Sequence, residues 1–258
     1  MRLMKRILSA AAVLALSASL LVGCSSGTAS SVPVSASSAA ESTVSSVEET
    51  ASSAVDENEA AAAQLLNDLT GSYQELWPVI LADEYKQTWL DDCTALVGED
   101  NAEAAFEKLS SMVTGDVYGE DAVKAYANGG GAYFCGFTNS LAILTFDGET
   151  STISGTDKDG NVLFSHTYHY IGMEPVHGLY EFESDDADSG EFTYFFLAPD
   201  TSAETYHIEF RYGSDADALS QYDAGDYAYW VASGISTDCD QTMIDNGIEL
   251  FCTENLAG

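Results

Sequence analysis

Positive charge is the scarcest property of this chain. Eight Lys and Arg stand against 42 Asp and Glu, a formal net charge of −34. Three of those eight, Arg2, Lys5 and Arg6, fall in the first six residues, so the remainder is more acidic still. Binding nucleic acid requires Lys and Arg that displace counterions from phosphates, and this composition excludes it. Anionic lipid headgroups are repelled for the same reason, and the same charge keeps a folded domain soluble. It gathers divalent cations only diffusely. Histidine is also sparse, with four residues: His166, His169, His177 and His207. There is no CxxC, HExxH or GxSxG, and the "NGGG" at 128–131 lacks the GK[ST] of a phosphate loop. Redox, zinc-ribbon, zincin and esterase chemistry therefore lack their signatures, and nothing points to catalysis.

The chain opens with a basic start, an apolar run and small residues before a cysteine: "MRLMKRILSAAAVLALSASLLVGC". This is the pattern of a secretory signal over residues 1–23. Its ending, "LVGC", resembles a lipobox, which makes Cys24 the expected lipidation site and the membrane the expected anchor. Attachment by more than one acyl chain is stable, so an extracytoplasmic, tethered protein is expected. Residues 25–58 are rich in Ser, Ala and Val and have no aromatics or period, so 24–58 reads as lipidated cysteine and disordered tether. A flexible chain of that length spans roughly 30–35 Å. Residues 59–258 suffice for one well-cored domain. The domain holds Cys93, Cys135, Cys239 and Cys252, an even number that permits disulfides with three connectivities. Cys239 and Cys252 read as parts of one terminal helix, about 20 Å apart at 1.5 Å per residue, too far to bridge.

Hydrophobic spacing divides the domain. Residues 59–128 read as helical, with Leu65, Leu66, Leu69, Tyr73, Leu76 and Trp77 at helical intervals. After "NGGG", the runs "LAILTF", "NVLFSHTYHYIG", "GLYEFE", "GEFTYFFLAP" and "AETYHIEFRYG" are aromatic or β-branched and are split by turns. They predict an antiparallel sheet or barrel over about 132–213. "TDCDQTMIDNGIELFCTEN" predicts a closing helix. The fold class is α+β.

His166 and His169, at i and i+3 on a strand, point to opposite faces and cannot easily share a metal. "DKDGNV" imitates the start of a calcium loop but has Val162 at the sixth position and Tyr168 at the twelfth, so a hairpin turn at Asp159–Gly160 is the better reading. "SDDADSGE" reads as a solvated acidic loop. In "ETYHIEF", Thr205, His207 and Glu209 share one strand face, and an imidazole with a carboxylate suits zinc. A lone strand histidine is more often a core or edge residue.

The arrangement resembles the ZinT-like zinc-binding family, found in the bacterial periplasm and as domains of surface zinc-importer lipoproteins. "LTGSYQELWPVIL" looks like the family's opening helix, and "NVLFSHTYHYIG" with "HGLYEFE" is similar to its central strand pair. "FFLAP", "TYHIEF" and "ALSQYDAGDYAYW" follow in the family's order. The resemblance implies a lipocalin-like (calycin) antiparallel β-barrel flanked by N-terminal helices and a C-terminal helix. It also implies zinc or another divalent metal as ligand, delivered to an importer. Of the three family zinc-ligating histidines, the first aligns with Phe195, the second with Thr205, and only His207 remains. Glu209 is the expected partial replacement, with His169 or His177 as possible entrants from neighbouring strands. On this reading His207 faces into the barrel beside Thr205 and Glu209, with Phe195 across from it. Phe195→His with Thr205→His would then restore a zinc site, and zinc binding would fade as pH falls through about 6.5. The alternative is a calycin module that has lost the metal and binds a small organic ligand or a protein.

Overall fold

A computed structural model describes residues 57–130, 133–198 and 207–257. Cys24, the signal, the tether up to residue 56, Pro199 and Thr205 lie outside the described residues, while residues 57 and 58, read as tether, begin the first helix. The alternating runs form strands: β2 (Ile143–Asp147), β3 (Thr152–Thr156), β4 (Val162–Met173), β5 (Tyr180–Ser184), β6 (Tyr194–Leu197) and β7 (His207–Gly213). On β4 the even-numbered Phe164, Tyr168 and Tyr170 turn inward, while Ser165, Thr167 and His169 face solvent. The β3–β4 hairpin closes at Asp159–Gly160, with Gly160 at φ +82° and the Asp157 carboxylate accepting the N–H groups of Asp159 and Asn161, each at 2.9 Å.

Two further strands close the sheet. β1 (Gly71–Glu75) pairs with β2 on one side and with β8 (Ala232–Ser236) on the other, giving a closed antiparallel barrel in the order β1 to β8. Every strand neighbours its successor, the up-and-down layout of lipocalin-like barrels. The barrel therefore runs from residue 71 to 236 rather than from 132 to 213. Gly71–Glu75 is not part of an opening helix. Helix α1 (57–68) ends just before it, and Gly71 at φ +146° takes a backbone conformation that L side chains avoid. Tyr73 keeps its helical-looking spacing, but as a strand residue packed edge-on against Phe146 at 5.7 Å.

The remaining helices are α2 (Leu76–Ile80), α3 (Lys86–Val97), α4 (Glu99–Ser111), α5 (Glu120–Ala127), α6 (Ala216–Leu219) and α7 (Gln241–Leu256). α7 starts at Asp240, whose carboxylate accepts the Met243 N–H at 3.0 Å. Cys239 lies ahead of this cap and is not in the helix, contrary to the sequence reading.

Two apolar cores result. One fills the barrel with Phe146, Ile153, Phe164, Phe182, Phe195, Phe210 and Tyr212. The other lies outside the wall, where Trp77, Ile80, Trp89, Ile248, Phe251 and Ile235 join α2, α3 and α7 to β8. The Trp89 indole donates to the Ile80 carbonyl at 2.7 Å, so its one polar atom is satisfied inside that core.

Candidate functional site

β7 is buried on both faces because the barrel core covers one and helices and a loop cover the other. Strand alternation then decides which residues meet. Phe195 pairs in register with Tyr212, so both lie on the inner face, and Phe195 stacks with Phe164, Phe210 and Tyr212. His207 has the opposite parity to Tyr212 and faces outward. It is registered opposite Ile235, a residue of the outer core. The expectation that His207 points into the barrel with Phe195 across from it is therefore corrected, because the two stand on opposite sides of the wall.

The outward face of His207 and Glu209 meets α2 and α7. Together with Leu76, Trp77, Ile80, Gly247, Leu250, Phe251 and Glu254 they line a crevice with about 20 Å³ of free space, room for about one water-sized group. Gly247, Leu250, Phe251 and Glu254 follow the i, i+3, i+4, i+7 rule, so one stripe of α7 forms the far wall. Glu254 went unnoticed in the sequence, although this spacing places it on the stripe. Burial pushes the His207 pKa down to about 4, so its imidazole is neutral, and the titration expected near 6.5 is displaced accordingly.

The other histidines have partners of their own. His166 Nδ1 lies 2.8 Å from Asp186 Oδ2 at the inner face, and His169 Nδ1 lies 2.7 Å from Asp185 Oδ1 on the outer face. The "SDDADSGE" loop thus pairs with both histidines of β4. His177 Nδ1 sits 3.3 Å from Glu174 Oε2, and its ring lies 3.8 Å from that of Tyr222. Glu174 is fully buried. Burial alone would raise its carboxyl, but hydrogen bonds from His177 and the Val176 N–H together hold it below the ordinary value.

Arg211, also on the outer face of β7, was not singled out by sequence. It is fully buried over Tyr222, at 4.2 Å from the ring centroid, and its guanidinium donates to the carbonyls of Leu219, Gln221 and Tyr227. It ties the segment after α6 to the barrel wall.

A tight zinc site needs three or four converging donors. Among the described residues no group of three or more His, Cys, Asp or Glu is placed to hold a metal ion. The crevice is lined by one neutral imidazole and two carboxylate side chains, but these do not converge as a metal-holding group, so the described residues do not by themselves fit a tight site.

The closed eight-stranded antiparallel barrel with flanking helices defines an α+β protein of lipocalin-like (calycin) architecture. No family model matches the sequence, and no curated protein does. Among solved structures, the chain is similar to the Zn(II)-bound ZinT-like domain of Streptococcus pneumoniae AdcA. Identity is 14%, with a TM-score of 0.44, covering 70% of this chain and 87% of that one. Zn(II)-bound AdcA from the same organism is similar at 13% identity and a TM-score of 0.41, over 70% of this chain and 34% of that one. The chain thus spans about a third of the length of that longer protein.

Proposed function

We propose that this chain is an extracytoplasmic, lipid-tethered binding domain on a ZinT-like frame, acting by binding rather than catalysis. Its cargo on this reading is zinc or a related divalent cation, held weakly and exchangeably through His207 and Glu209. The observation that carries the reading is the crevice between β7 and α7, where a neutral imidazole and two carboxylate-bearing residues line one small space. A neutral imidazole is the ligating form, and the crevice keeps it so down to acidic pH. Weak holding suits a protein that passes a metal to an importer.

A second reading, a calycin module that binds a protein or organic ligand without metal, is favoured by Phe195. That side chain stands where the family resemblance calls for a ligand, and it is packed into the aromatic interior. Calorimetric zinc titration of the wild type and His207→Ala separates the two. The proposal expects zinc binding in the micromolar range or weaker, lost in His207→Ala. No zinc binding by either protein leaves the second reading, and equal binding by both places the metal site away from His207.

A further inference from the structure

We infer that Cys93 and Cys252 form a disulfide that staples the C-terminal helix α7 to α3. Cys93 stands on α3 and Cys252 on α7, and their sulfurs face each other 3.9 Å apart. Both residues are fully buried in the outer core, so neither thiol has another function at the surface. A disulfide needs a sulfur separation of about 2 Å, so each sulfur moves by about 1 Å to reach it.

The seam around this contact is acidic. α7 contains no Lys or Arg, and its Asp245 and Glu249 lie on the helical stripe that carries Cys252. On α3 the neighbour of Cys93 is Asp92, whose carboxyl is pushed above its ordinary value by burial, then by Glu249, Asp245 and Asp91. The two helices therefore meet with like charges at their seam and no basic residue on α7 to offset them. A covalent link holds that seam closed where electrostatics oppose it. The link spans 159 residues of chain, and long loops give the largest constraint on the unfolded state.

The reaction is thiol–disulfide exchange with a disulfide carrier of an oxidising compartment. The two thiols lose two protons and two electrons as the sulfur–sulfur bond forms, and the carrier disulfide is reduced to two thiols. Burial pushes both thiols above their ordinary pKa, so thiolate is scarce once α7 has docked. The bond therefore forms as the chain folds. The bond in cells depends on the export proposed above, whereas the pairing of these two sulfurs does not.

The test uses the full chain. It is refolded from denaturant with a glutathione disulfide buffer, and separately extracted in detergent from cells whose thiols were alkylated at lysis. Non-reducing digestion and mass spectrometry then map the cysteines. The expected result is a peptide pair joining Cys93 to Cys252, retained in Cys239→Ser and absent in Cys93→Ala. Reduction of the wild type is expected to lower the melting temperature by roughly 5–15 °C, with no such shift in Cys93→Ala. The inference is overturned if the refolded wild type has free Cys93 and Cys252, or joins either of them to Cys135 or Cys239. A linked refolded chain beside an alkylated, unlinked chain from cells upholds the pairing and overturns export to an oxidising compartment.

Discussion

His207 is 6% exposed and neutral, and its burial has a thermodynamic consequence. In the unfolded chain it protonates near 6.5, but in the folded protein only near 4. Between those values the unfolded state binds the extra proton, so stability falls as pH drops from about 6.5 and levels off below about 4. The loss amounts to roughly 3 kcal/mol. Melting temperatures of wild type and His207→Gln across this range should diverge, with the wild type losing more. Parallel curves would mean the imidazole titrates normally. At Phe195 the expectation is also definite. Phe195→His places an imidazole among Phe164, Phe210 and Tyr212, on the far side of the wall from His207. It should cost about 3 kcal/mol in denaturant unfolding and leave zinc affinity unchanged. A gain in zinc affinity would show that the two side chains share a face after all.

Two glycines show how the elements are seated, and they predict opposite signs. Gly148, after β2, packs beneath α1, where an added Cβ would lie 2.3 Å from the Asn67 Cα. Its N–H also donates to Thr70 Oγ1 at 3.0 Å. Gly148→Ala should destabilise by about 2–3 kcal/mol, because backbone cannot move aside as a flexible side chain does. Gly247 lies in the middle of α7, and a Cβ there meets nothing within 4 Å. Gly247→Ala should stabilise by about 0.5–1 kcal/mol through helix propensity and a less flexible unfolded chain. Chemical denaturation of the two variants checks both signs at once.

At the scale of the whole molecule, two apolar cores share one barrel wall, and Ile235 and Tyr212 sit on opposite sides of it. The described core is complete from α1 onward, with Ala62, Leu65, Leu66 and Leu69 of the first segment already buried. Deleting residues 25–58 should therefore shift the melting temperature by no more than a degree or two, since that stretch brings no aromatic and few large apolar side chains to a core. A large fall in scanning calorimetry would show that the stretch packs against the domain.

The α+β class, the acidic character, strands β4 to β7 and the Asp159–Gly160 hairpin were all legible in the sequence. Strong period-2 runs and a loop rich in Asp, Asn and Gly are local signals that need no partner to be read. It also placed His166 and His169 on opposite faces, because alternation is a property of one strand alone. That Gly71–Glu75 and Ala232–Ser236 are strands closing the barrel follows from long-range pairing alone. Five-residue segments with Gly, Ser or Gln carry too little period to outweigh their helical surroundings, and their strand state comes from pairing with each other and with β2 and β7. Alternation grouped His207 with Glu209, but it could not say which face turns inward. That was settled by the register against Ile235 and by α7 lying over the same face, contacts made by residues 28 to 47 positions along the chain from His207.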